Sequence, residues 1–140
     1  MFIRYCVCFA LVLLTLGCGN EEKLKREYCP LLLPNWSKPS DGRSAFRTMN
    51  LVAFDKGELK WNGVFVSSNQ MRDYLKLLPI MNPVPLVVFD PSDAPSCAAA
   101  TAVRDEINKF ARCQTDGLCG QGLKRDWNAA PGLSGPNWVE

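Results

Sequence analysis

The fold is decided by one stretch of sequence, Asn50-Leu-Val-Ala-Phe-Asp-Lys-Gly-Glu-Leu-Lys-Trp-Asn-Gly-Val-Phe-Val66. It alternates short apolar runs with two turn signals, Asp55-Lys-Gly57 and Asn62-Gly63. Turns of this composition between apolar runs are typical of β-hairpins, because glycine and asparagine accept the left-handed backbone that tight hairpin turns need. The stretch therefore predicts strands at Asn50–Phe54 and Glu58–Trp61, followed by an extension at Val64-Phe-Val66.

A helix is predicted directly after this hairpin. Ser67 can cap it by accepting from the amide of Gln70, whose side chain can reach back to the cap. The apolar residues that follow recur at three- and four-residue intervals, which makes one buried stripe of Met71, Tyr74, Leu75 and Leu78. Because Pro79 cannot continue a helix, the prediction is a helix from Ser68 to about Leu78.

A central strand and a second helix are predicted next. Leu86-Val-Val-Phe89 is an uninterrupted apolar run of the kind found in strands covered on both faces, and Asp90-Pro91 ends it. A second helical stripe then runs towards Arg112 through Ala99, Val103, Ile107 and Phe110. The segment from Cys113 to Cys119 is predicted to be a turn-rich loop.

Three segments of this order, Gly57–Ser67, Gln70–Leu75 and Leu86–Asp90, resemble the periplasmic domain of the ExbD/TolR family. The resemblance covers about half the chain and implies an α+β fold in which a small sheet, a hairpin plus a central strand, packs against two helices. It also implies envelope partners of the ExbB/TolQ or TonB/TolA type. The chain departs from the family at its N-terminus, where Tyr5–Gly17 carries no carboxylate to take a proton and is too short to span a membrane.

That N-terminal segment is predicted to be a signal peptide. One charge, Arg4, precedes the apolar run, and Leu14-Thr-Leu-Gly-Cys18 resembles the lipoprotein box in which Cys18 is acylated. Gly19 after the cysteine favours sorting to the outer membrane. The prediction is thus a lipid-anchored protein on the periplasmic side of the envelope. Ordinary cleavage after Gly19, which gives a secreted periplasmic protein, and an uncleaved anchor are the alternatives.

Four cysteines remain after this segment, and they are expected to form disulfides because an exported small domain lies in an oxidising compartment. The chain has no histidine, which disfavours zinc. Cys97 and Cys113 flank the second predicted helix and would lie about 24 Å apart, far beyond disulfide reach. Of the two pairings left, Cys113 with Cys119 needs only a short turn. The second pair is then Cys29 with Cys97, which would hold Leu31-Leu-Leu33 against the start of the helix.

The sequence predicts four segments: signal peptide 1–18, tether and strapped segment 19–48, α+β domain 49–123, and a tail rich in Gly, Pro and Trp at 124–140.

Removal of the first 17 residues takes one, Arg4, from the 16 basic residues and none from the 14 acidic ones, so the mature chain is almost neutral. Without a clustered basic surface, nucleic-acid binding is not expected.

The function is predicted to be that of a non-enzymatic envelope-associated binding or accessory protein without a cofactor or metal. Because the chain has no histidine, it cannot form a Ser-His-Asp catalytic triad or a Cys-His catalytic dyad. Trp61, Asn62 and Asp90 are the binding candidates, the tryptophan because this residue is enriched at binding hot spots. The alternative is a small exported enzyme with carboxylates at Asp90 and Asp93, near the end of a buried strand. A homodimer is kept open as well.

Overall fold

The computed structural model describes residues 29, 32–41 and 48–129. In these residues five strands form one mixed sheet of order β3-β2-β1-β4-β5. The strands are β1 (Met49–Asp55), β2 (Glu58–Trp61), β3 (Val64–Phe65), β4 (Leu86–Asp90) and β5 (Cys119–Gln121). The helices are α1 (Ser68–Leu77), α2 (Cys97–Phe110), α3 (Cys113–Asp116) and α4 (Lys124–Asn128), and 3-10 turns lie at Pro39–Asp41 and Leu78–Ile80.

Both hairpin turns form where the sequence predicts them. β1 pairs antiparallel with β2, with Val52 opposite Trp61, and β2 pairs antiparallel with β3. Each turn has two residues with positive φ: Lys56 at 52° and Gly57 at 83°, then Asn62 at 49° and Gly63 at 86°. This left-handed backbone at both central positions matches the twist of the paired strands, which is why these sequences set the register.

The other half of the sheet is parallel. β4 lies beside β1, with Leu51 opposite Val88, and β5 lies beside β4. All five residues of β4 are buried, as expected for a central strand covered on both faces. The α+β prediction is therefore confirmed at the level of a small mixed sheet with helices.

β5 was not predicted from the sequence. The segment expected to be a turn-rich loop contains one helical turn, α3, and then leads into this strand. β5 has only three residues, one of which is Gly120, so it shows neither alternation nor an apolar run. Its pairing with β4 is a long-range contact that local sequence does not encode.

Both long helices begin at serine caps, of which Ser67 is the one predicted from the sequence. Ser67 Oγ accepts from the amide of Gln70 at 3.2 Å, and the amide of Ser67 donates to Gln70 Oε1 at 2.8 Å. Ser96 Oγ accepts from the amide of Ala99 at 3.1 Å. Helix α1 ends at Leu77, one residue before the expected boundary, because the 3-10 turn that contains Pro79 begins at Leu78.

The sheet has a hydrophobic core on each face. One face carries Val52, Trp61 and Phe89 and is covered by α1 and α2, whose buried residues include Met71, Leu75, Val103 and Ile107. The other face carries Leu51 and Val88 and is covered by Trp127 of α4, which is 0% exposed. The tail shows no periodicity in the sequence and was expected to pack through its tryptophans, and the first of them, Trp127, is indeed a core residue.

Two disulfides link described residues. Cys29 and Cys97 have Cα atoms 5.5 Å apart, and Cys113 and Cys119 have Cα atoms 5.0 Å apart. These are the two pairs expected after helix α2 excluded a bond between Cys97 and Cys113. The predicted lipobox with Cys18, most of the tether, and Leu31 lie outside the described residues, as does Trp138.

The residues 32–41, which we call the strap, lie along β5. Ser37 forms a parallel bridge with Gly120. Its amide donates to the carbonyl of Cys119 at 2.9 Å, and its carbonyl accepts from the amide of Gln121 at 3.1 Å. Trp36 is buried in the core between the sheet and helices α1 and α2, which we call the helix-side core, and its Nε1 donates to Asn108 Oδ1 at 3.3 Å. The strap therefore covers the β5 edge of the sheet.

Candidate functional site

The first candidate site is a groove at the carboxyl ends of the parallel strands. Because β1 and β4 are parallel neighbours, the segments that follow them, the Asp55–Gly57 turn and the loop that leads to α2, meet at one end of the sheet. Between them lies a shallow open cavity of about 420 Å³. Its lining residues are Asp55, Lys56, Gly57, Ser92, Asp93, Ala94 and Pro95.

The structure does not bring Asp90 and Asp93 together as a carboxylate pair in this groove. Asp93 is exposed and lines the groove, but Asp90 is buried and does not line it. Asp90 Oδ1 accepts from the amide of Ser92 at 3.0 Å, and Oδ2 accepts from the amide of Lys124 at 2.8 Å. Asp90 thus holds the loop after β4 and the start of α4 in place.

The second carboxylate of the groove, Asp55, is paired with Lys60 across the β1–β2 hairpin. The hydrogen bond from Lys60, together with its charge, lowers the pKa of Asp55 below its ordinary value of 3.8. Such an aspartate stays ionised at neutral pH, so it does not serve as a general acid there. Lys60 Nζ also lies 4.3 Å from the centre of the Phe65 ring.

Trp61 and Asn62, the candidates in the hairpin, are structural in their contacts. Trp61 is 9% exposed and packs on Tyr74 with ring centres 5.5 Å apart. Asn62 Oδ1 accepts from the amide of Leu51 at 2.7 Å, while its Nδ2 donates to Asn50 Oδ1 at 2.9 Å. Asn62 thus fixes the turn between β2 and β3 to β1, and Trp61 packs against α1 with little surface left for a partner.

Exposed apolar side chains lie instead on β3, which was not among the sequence candidates, and at the end of α1 and the turn after it, at Leu77, Ile80 and Met81. Val64 is 68% exposed and Phe65 is 56% exposed. β3 is the outermost strand on its side of the sheet. No signal in the sequence marks this exposure, because a short apolar run such as Val64-Phe-Val66 is equally compatible with a buried strand.

The backbone of Phe65 is also directed outwards. The amide of Val66 donates to the carbonyl of Leu59 on β2 at 3.0 Å. Since backbone groups alternate in direction along an antiparallel strand, the N–H and C=O of the preceding residue, Phe65, point away from β2. β3 therefore presents one donor, one acceptor and two apolar side chains at the sheet edge.

Among the described residues, no group of three or more His, Cys, Asp or Glu side chains is placed to hold a metal ion. In the same part of the chain, no helix has the length and apolar character required to cross a membrane. No protein-family model, curated protein or solved structure matches this chain.

Proposed function

We propose that this chain is a non-enzymatic binding or accessory module of the cell envelope, and that it holds its partner at the β3 edge. The observation that carries the proposal is the combination at this edge of exposed Val64 and Phe65 side chains with an outward-facing backbone donor and acceptor. An extended segment of a partner can add there as a further strand. Main-chain hydrogen bonds would give affinity, and the apolar side chains would give specificity.

The carboxylates favour this proposal over an enzyme. Both oxygens of Asp90 are used by backbone amides, and Asp55 is held ionised by Lys60. The groove beside Asp93 is open and polar. An active site normally sets two titratable groups in different environments so that one can act as acid and the other as base. The described residues of this groove do not form such a pair.

The nature of the partner is proposed from the sequence. The resemblance to ExbD/TolR periplasmic domains supports an envelope protein, of the ExbB/TolQ or TonB/TolA type, as the source of the extended segment. The signal-peptide pattern ending at Cys18 supports attachment to the outer membrane on its periplasmic side. A second copy of the chain, which would pair edge to edge, is the competing occupant of β3.

The experiment is site-specific photo-crosslinking in cells, with the full chain carrying the photoreactive residue at Val64. Ile80 is the matched control position, because it is 79% exposed and apolar but lies outside the sheet. We expect adducts from position 64 to a defined extended peptide of an envelope protein, without the same adduct from position 80. Adducts only to the chain itself would identify the homodimer instead, and equal adducts from both positions would contradict the proposal.

Two substitutions of Phe65 then test the mode of binding with the crosslinked peptide as a purified ligand. Phe65→Pro removes the outward N–H, which an edge strand tolerates because that donor is not used within the sheet. Phe65→Ser removes the ring but keeps the N–H. Both variants should weaken binding because both lose the ring. The proline variant also loses the hydrogen bond from the N–H of residue 65 to the added strand, so its affinity should fall by roughly tenfold or more. Unchanged affinity in Phe65→Pro would exclude strand addition.

A further inference from the structure

The two disulfides lie in very different surroundings. Cys113 and Cys119 are both 0% exposed and belong to the helix-side core. Cys97 is exposed, and Cys29 is half-buried. Thiol–disulfide exchange requires a thiolate to reach a disulfide sulfur, so accessibility alone makes Cys29–Cys97 the more reactive bond.

The position of Cys97 adds a second, independent difference. It is the first residue of helix α2, which has 14 residues and is capped by Ser96. The first turn of this helix contains no acidic residue. The unpaired amides and the dipole at a helix N-terminus favour negative charge, and a cysteine there is a good leaving group as a thiolate. Cys113, by contrast, opens a four-residue turn whose preceding residue makes no side-chain cap.

The bond also holds a segment that is otherwise fixed at few points. On the strap, Leu32 and Leu33 are partly buried against the core, Trp36 is buried, and Ser37 makes two backbone bonds to β5. The disulfide joins Cys29, three residues before the strap, to α2 across a sequence separation of 68 residues. The other end of the strap continues along the chain to β1, so this bond is what fixes its N-terminal end covalently.

We propose that Cys29–Cys97 is a thiol-exchange site, a latch that a dithiol reductant opens before it opens Cys113–Cys119. One thiolate of the reductant attacks Cys29 Sγ, which forms a mixed disulfide and releases Cys97 as a thiolate at the helix N-terminus. The second thiol of the reductant then displaces Cys29. The reductant leaves as a disulfide after giving two electrons, and its thiol protons pass to Cys29 and to solvent or Cys97. Opening loosens the strap from β5.

The first test is graded reduction of the oxidised full chain with dithiothreitol, followed by trapping of free thiols with N-ethylmaleimide and peptide mapping. We expect Cys29 and Cys97 to be labelled about tenfold faster than Cys113 and Cys119, or more. Labelling of all four cysteines at one rate, or of the buried pair first, would overturn the proposal.

The role of the helix N-terminus is tested with two matched single variants that each leave one thiol of the latch. Cys29→Ser leaves Cys97, and Cys97→Ser leaves Cys29. The rate of alkylation by iodoacetamide is measured across pH, because the midpoint of its rise reports the pKa of each thiol independently of exposure, and the midpoint should lie lower for Cys97 than for Cys29. Equal midpoints would show that exposure alone separates the two thiols and that the leaving-group assignment is wrong.

Release of the strap is tested by hydrogen exchange on the double variant Cys29→Ser/Cys97→Ser, which mimics the open latch without a reductant. The amides of Ser37 and Gln121, which bond across the strap and β5, should exchange about tenfold faster than in the oxidised parent. The amides of Val52 and Leu75, buried in the core, are the internal control for folding. Unchanged protection of Ser37 and Gln121, with the core intact, would show that the bond opens without loosening the strap.

Discussion

The two edges of the sheet differ in how they end. At the β5 edge the strap adds its own bridge through Ser37, and Trp127 packs beneath Gly120. At the β3 edge the sheet stops at a two-residue strand whose side chains and outward backbone groups face solvent. Exposed edges are templates for pairing, and proteins commonly cover them or keep them short. This chain covers one edge and shortens the other, so β3 is the open edge at which we propose that a partner strand adds.

The largest expected difference between the edges comes from replacing one aromatic residue at each. Trp127→Ala empties a fully buried site beneath the covered edge, so the free energy of unfolding should fall by about 3–5 kcal/mol. Phe65→Ala at the open edge removes a half-exposed ring and should lower it by less than about 1 kcal/mol. Urea denaturation of both variants measures this contrast. Similar losses would mean that the β3 edge is integral to the core.

A smaller effect is expected where the covered edge is most tightly packed. A Cβ added at Gly120 would lie 2.4 Å from Cζ2 of Trp127, too close for two carbon atoms. Gly120→Ala should therefore lower the free energy of unfolding by about 1–3 kcal/mol through overpacking. Combining it with Trp127→Ala should abolish the added loss, because the clashing ring is gone. An undiminished loss in the double variant would assign the effect to the backbone of β5 instead.

The smallest effect concerns the charge pair on the open side. The pKa of Asp55 is lowered in the folded chain by its hydrogen bond from Lys60, so the ionised pair stabilises the fold at neutral pH. This contribution is complete above the ordinary pKa of 3.8 and is lost as pH falls through the lower, folded value. Asp55→Asn should therefore be less stable than the parent at pH 7, with the difference closing in strong acid. Denaturation curves across this pH range check the sign.

Local sequence chemistry predicted the antiparallel half of the fold. The turns at Lys56-Gly57 and Asn62-Gly63 require a backbone that few other dipeptides adopt, and the Ser67–Gln70 capping box fixes the start of α1 within one residue. Each of these signals acts over four residues or fewer. The disulfide pairing followed as well, because the length of the second helix excludes Cys97 with Cys113, and the short turn between Cys113 and Cys119 favours one of the two pairings left.

The covered edge could not be predicted in the same way. β5 is held by parallel pairing with β4, by Ser37 from far upstream and by Trp127 beneath it. None of these contacts leaves a periodic pattern in the sequence.

The surroundings of the candidate site residues could not be predicted from the sequence either. Trp61 and Asp90 were plausible binding residues by type, but the packing of the first and the two amides bound by the second are visible only in three dimensions.

The Cys29–Cys97 bond also determines how the domain bears mechanical load. A force applied to the chain before Cys29 would cross this bond into the first turn of α2. While the bond is closed, the hydrogen bonds between Ser37 and β5 carry little of that force. Once it opens, the same pull would act directly on the backbone bonds between Ser37 and β5. The oxidation state of one disulfide would then set the force at which the domain begins to yield.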